Sequence, residues 1–330
     1  MLLWCCFAPT ACGQSVRDKV TLLDEKTGSR TRLFCTVVDH TGQFLKFRIR
    51  DDSPITVKPS SQVISIETPQ TRPHIEALEK YAAGETKEAM TLFEQALKQE
   101  PRGWVRRDIL AMLVRCALRE NNRAQAGDRF LLIYSSDKTT QHFKSMPLLW
   151  TTAPPTPALK SAAMNWMTQN TPAAKLLAAS ALLFDPKYQR SAKLDLAGLR
   201  SNTDESIRTL AIAQLWRLEL PDGKVASATI DAWKDAIGNM PKELRGGPYF
   251  VLGESRRLRR EYDLAATSLL WVPLIYDHDY QLSALASLNA AASLKAIGQE
   301  EEAAALYREV VLRYGQSSYA QDAAQLLKEF

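Results

Sequence analysis

Histidine and cysteine are the residues in shortest supply here: four His and five Cys in 330 residues. They are also scattered, so neither a disulfide framework nor a zinc domain built on paired Cys and His is supported. An excess of one charge is equally lacking. Lys and Arg total 42 against 37 Asp and Glu, a net +5, and a surplus that small gives no reason to expect nucleic acid as a partner. Neither a Walker loop nor a Gly-x-Gly-x-x-Gly run occurs, which removes the usual phosphate cradles. What is present is ordinary: 45% hydrophobic and 24% charged residues, the make-up of a soluble globular chain. That composition excludes a disordered or collagen-like chain, and the length suits two or three units with ample core.

The first residues speak to location. Met1–Ala8 reads MLLWCCFA, an apolar run too short to span a bilayer, and it resembles the hydrophobic region of a secretory signal. Ala11-Cys12-Gly13 puts small residues at the −3 and −1 positions of a signal-peptidase site, with Gln14 as the first mature residue. No Lys or Arg precedes Arg17, as in a leader shortened by a start codon assigned too far downstream. Pro9-Thr10-Ala11-Cys12 has some likeness to a lipoprotein signal, but Pro9 stands where that pattern wants Leu, so acylation of Cys12 is the less favoured branch. The expectation is a signal peptide over 1–13 and an exported protein, periplasmic or associated peripherally with the envelope. Its removal leaves Cys35 and Cys116, expected as buried free thiols and not as a bridge.

Residues 15–68 have a period near two. Lys19–Asp24, Leu33–Val38, Phe44–Arg50, Ile55–Val57 and Val63–Glu67 read as five short strands separated by polar turns such as Glu25–Ser29 and Asp39–Gln43. Even spacing of short strands predicts a small antiparallel barrel or curled sheet. The pieces Lys19–Leu22, Val37–Gly42 and Ser61–Ile66 resemble the Sm-like or SH3-type barrels of some exported bacterial repeat proteins. Lys46, Arg48 and Arg50 share one strand face, best read as solvated and blunting strand pairing.

From Thr71 the period lengthens to nearly four, and Pro69 and Pro73 bracket the change. In 74–101, Gly84 is followed by Ala89, Phe93, Ala96 and Pro101. Gly permits a tight interhelical turn, the two Ala let helices approach, Phe fills the groove and Pro stops the helix. Asn121, Ala126, Phe130 and Ile133 repeat the offsets 37 residues on. Tyr249, Leu252, Gly253, Tyr262 and Ala265 give another copy, and Gly298, Ala303, Tyr307 and Val310 the next, 38 residues later. This spacing resembles tetratricopeptide repeats (TPRs), whose period is about 34. The last copy, through Gly315–Ala320, is most similar to the TPRs of envelope-assembly proteins, and Ala323–Phe330 reads as a capping helix.

The middle, 146–240, is helical without a clear repeat. Pro147, Pro154, Pro155 and Pro157 mark a loop, then Ala158–Gln169, Ala173–Phe184, Ser191–Arg200 and Asp204–Leu218 read as helices, with Asn202-Thr203-Asp204 as an N-cap signal. The region either continues one solenoid or forms an irregular helical linker between two pairs of repeats.

Chemistry is sparse. Leu252–Arg256 approaches a nucleophile elbow but lacks its second Gly and lies in a helical pattern. Asp277-His278-Asp279 is the densest ligand-like cluster, yet adjacent loop residues point apart and no second His is near, so no metal is expected. Glu300–Glu302 suits a solvated helix start. Arg256, Arg257 and Arg260 are the candidate binding residues. On a continuous helix 256 and 260 stack with 257 beside them, a face for an acidic partner. Six of the seven Trp, at 104, 150, 166, 216, 233 and 271, fall in the helical part, where they pack between repeats or line a groove.

The expected fold is α+β, mainly α: a small N-terminal antiparallel β-barrel (15–68), then a right-handed α-solenoid of TPR-like pairs at 74–145 and 241–330 flanking the degenerate 146–240. The TPR resemblance implies a non-catalytic envelope scaffold binding a peptide or protein, with no cofactor, no metal and no nucleic acid. Two alternatives remain open: an envelope enzyme with its site in the middle region, and a structural subunit of an oligomer.

Overall fold

The computed structural model describes residues 17–330, so the expected leader at 1–13 lies outside the described residues. The chain is α+β and mainly α. It divides between Thr71 and Arg72 into two compact units.

The first unit is one antiparallel sheet of β1 (Asp18–Leu23), β2 (Arg30–His40), β3 (Phe44–Arg48), β4 (Thr56–Pro59) and β5 (Val63–Glu67). Strand order is β4-β3-β2-β1-β5. Alternation puts Val20, Cys35, Val37, Leu45 and Phe47 on one buried face, with Lys19 opposite Phe34 and Val37 opposite Phe47. A bulge between Val37 and Asp39 bends the long β2. The Asp18 carboxylate accepts the Val37 N–H at 2.7 Å. The closed barrel expected from the strand spacing is not formed: β4 and β5 stand at opposite edges. β4 is only four residues long and ends in Pro59, which has no N–H to extend a ladder.

The second unit holds fourteen helices among the described residues. The first four are α1 (Arg72–Ala82), α2 (Thr86–Gln99), α3 (Gly103–Arg119) and α4 (Arg123–Ser136). The middle contributes α5 (Pro157–Met167), α6 (Pro172–Leu182), α7 (Gln189–Leu199), α8 (Glu205–Trp216) and α9 (Ser227–Asn239). The last five are α10 (Gly246–Leu258), α11 (Tyr262–Ile275), α12 (Tyr280–Ala296), α13 (Glu300–Arg313) and α14 (Ala320–Leu326). Asp204 caps α8, accepting the N–H groups of Ser206 and Ile207.

Four turns share one backbone geometry. Gly84, Asn121, Arg260 and Gly298 all have positive φ, between 56° and 84°. In each turn this residue's N–H bonds the carbonyl three residues back, and the following N–H bonds the carbonyl five back, as in Glu85 to Lys80 and Asn122 to Ala117. Glu261 to Arg256 and Gln299 to Leu294 complete the set. This double bond satisfies carbonyls that a helix end leaves bare. Five residues after each turn stands a fully buried Ala (89, 126, 265, 303), and nine after stands Phe93, Phe130, Leu269 or Tyr307. The small residue lets α2, α4, α11 and α13 close on their partners, and the large one fills the gap; each buried large side chain stabilises by roughly 2–3 kcal/mol.

The cysteines follow the same economy. Cys35 and Cys116 are both buried and free, and burial pushes their thiols up to about 11 and about 12.

Candidate functional site

The three candidate arginines do not share a face. α10 ends at Leu258, so Arg260 is the left-handed turn residue before α11. Arg256 is 9% exposed and turns inward, donating to Ser268 Oγ at 2.7 Å and to Leu264 O on α11. Arg257 forms a bidentate pair with Glu254, while Arg259 holds Glu261, Val225 O and Ser227. Three of these four guanidinium groups therefore build the α10–α11 region and its neighbour α9.

Other sequence features find structural employment. Ser255 is fully buried, its hydroxyl donating to Leu252 O within α10. Gly253 is needed where α10 and α11 cross, because a Cβ there would lie 2.6 Å from Leu269. Asp277 pairs with Arg313, and Asp279 caps α12 by accepting the Leu282 N–H. Between them, the His278 imidazole is pushed down to about 4 by burial, with Lys144 and Arg115 adding repulsion that Asp277 only partly offsets. Among the described residues, no group of three His, Cys, Asp or Glu is placed to hold a metal ion.

The feature that sequence reading missed is where the first and last helix pairs meet. α12 lies against α3, and the contacts join residues far apart in the chain. Arg123 donates to Asp279 at 2.6 Å, a pair in which both side chains are largely buried. The Gln281 carboxamide donates to Arg119 O and accepts the Ser318 N–H, both at 3.0 Å. Arg119 is sandwiched between the rings of Tyr81 and Tyr280, 5.2 and 4.6 Å from their centroids. Asn121 donates to Ser318, and Gln316 donates to Gly84 O at 2.8 Å.

This junction encloses a cleft of about 400 Å³. Apolar walls come from Leu149, Trp150, Leu282 and Leu285, and polar groups from Asn121, Asn122, Thr151 and Tyr319. Burial raises the Tyr319 phenol above its usual range, so it stays a neutral hydroxyl, able to donate or accept. No carboxylate lines the cleft among the described residues, and its one cation, Arg123, is engaged by Asp279.

One wall is the chain's own extended segment 148–151, and side chains from four helices grip its backbone. Arg123 holds Leu148 O at 3.1 Å. Ser180 Oγ accepts the Leu149 N–H, and Gln214 donates to Leu149 O. Arg217, fully buried, donates through Nε and Nη2 to Thr151 O and through Nη1 to Ser180 O. Burial and the nearby Arg123 press its guanidinium down to about 9, still charged at neutral pH and matched by carbonyl dipoles, with the Phe184 ring 5.1 Å away. Trp150 anchors the segment against Gly247, where a Cβ would come within 1.8 Å of the indole.

No protein-family model matches the chain, and no curated protein matches it either. The cleft offers a mostly apolar surface with spaced hydroxyl and carboxamide groups, suited to holding a partner by shape and hydrogen bonds. Trp150 was visible in the sequence as one of six helical-region tryptophans. Nothing local set it, Arg123 or Gln281 apart.

Proposed function

We propose that the helical unit is a TPR-like, right-handed solenoid acting as a non-catalytic interaction scaffold of a bacterial cell envelope. Its binding site is the cleft between Asn122, Trp150 and Leu285, and its partner is an extended peptide or a protein loop. The observation that carries this reading is the gripped segment 148–151: the molecule already holds an extended stretch of backbone through Ser, Gln and Arg side chains and a Trp anchor, and the open cleft adjoins it. The four equivalent turns with their Ala and aromatic offsets support the repeat assignment. Export is part of the proposal and rests on residues 1–13 alone.

The test is capture with matched variants. Leu285→Arg fills the cleft with charge, whereas Leu312→Arg changes a residue that is 83% exposed. Partner recovery should survive the second and fail with the first, both proteins keeping the parent's helical circular dichroism. Equal recovery by both variants would remove the cleft as the site.

A further inference from the structure

The two sides of the cleft are secured in different ways. Segment 148–151 is fastened from within by the fully buried Arg217 and by Gln214 and Ser180. The opposite rim is the loop between α13 and α14. Its feet are buried: Tyr314 before it and Ala323 after it belong to one apolar cluster with Tyr307 and Val310. Between those feet, Gly315, Gln316 and Ser318 are exposed or partly so, and Ser317 and Tyr319 are only half-buried.

What holds this strap across the junction is polar. Gln316 donates to Gly84 O and accepts from the Thr86 hydroxyl. Asn121 donates to Ser318 Oγ, and the Ser318 N–H reaches Gln281. The Gln316 N–H reaches the Tyr280 hydroxyl. Bonds of this kind at an exposed site exchange readily for water, while the buried feet do not move without unfolding the cluster. A segment with few apolar contacts and water-accessible hydrogen bonds is drawn from the low-stability end of a structure.

We infer that Gly315–Tyr319 is a lid on the cleft. It releases from Gly84 and Asn121 and carries Tyr319 off the rim, while α12 stays docked on α3 through Arg123–Asp279. The lid governs entry to the site assigned above, and in that consequence it rests on the proposed function. The motion itself is a property of the free protein.

Hydrogen exchange on the full chain tests it without a partner. The amides of Gln316, Ser318 and Tyr319 should exchange on the order of 100-fold faster than those of Ala284 and Leu288 in α12, as local opening requires. Gln316→Ala should speed exchange across 316–319 and leave α3 and α12 unchanged. Strap amides exchanging at the α12 rate, or an equal acceleration of α3 and α12 in the variant, would overturn the lid. Partner capture separates this from the scaffold reading. Cleft-dependent capture without the exchange asymmetry removes the lid and keeps the site. The asymmetry without cleft-dependent capture keeps the lid and removes the site.

Discussion

Arg123 and Asp279 are separated by 156 positions in the chain, yet their side chains meet at 2.6 Å with little exposure to solvent. Each makes a second contact as well, since Arg123 holds Leu148 O and Asp279 caps α12. Removing one partner leaves a largely buried charge and an unmet carbonyl or N–H. Arg123→Ala should therefore destabilise by about 2–4 kcal/mol in urea unfolding. A double-mutant cycle with Asp279→Ala should return a coupling of roughly 1 kcal/mol or more. Strictly additive losses would mean that the pair does not tie the two ends together.

Arg260 occupies a turn position where Gly84 and Gly298 stand in the equivalent turns. A left-handed conformation costs an L-residue roughly 1–2 kcal/mol, and glycine's extra freedom in the unfolded chain returns roughly 0.4–1 kcal/mol of that. Arg260→Gly should accordingly raise stability by about 0.5–1 kcal/mol, and Gly84→Ala should lower it. Thermal unfolding of the two variants checks both signs.

Gly247 is where Trp150 lies flat against the backbone of α10. An added Cβ would overlap the indole, so Gly247→Ala should cost about 2–3 kcal/mol by overpacking. Because Trp150 is also a cleft wall, the variant should lose partner capture while retaining its helical content. Normal stability in this variant would contradict the packing described.

His278 gives the helical unit an acid-sensitive point. Its folded value, about 4, lies below the usual 6.5. Between those values the unfolded chain binds more proton than the folded one, so its contribution is intact above about pH 6.5 and is lost as pH falls toward 4. His74, lowered chiefly by burial, works in the same direction. His278→Gln should flatten the stability–pH curve between pH 6.5 and 4, measured by urea midpoints. An unchanged slope would place the acid sensitivity elsewhere.

The parts legible in the sequence are those governed by local rules. Gly84, Asn121 and Gly298 announce turns because a positive φ selects Gly and Asn, and Ala89 and Phe93 announce a helix-packing face by size and spacing. The strands were readable from alternation, whereas barrel closure was not, since it depends on whether β4 and β5 find each other. Arg260 misleads for a physical reason: a run of arginines displays charge, but the conformation that one of them adopts is set by the turn. The cleft was not legible at all. Its walls come from 121–124, 149–159, 281–285 and Tyr319, and these share no periodicity, only a docking of distant helix ends.

The most direct measurement is site-specific photo-crosslinking in the native cell, with a photoreactive residue at Leu285 in the cleft and, as the control, at Leu312 on the exposed surface. The account predicts a discrete covalent adduct from position 285, identifiable as one protein partner, that position 312 does not give. No adduct from 285, or the same adduct from both positions, would contradict it.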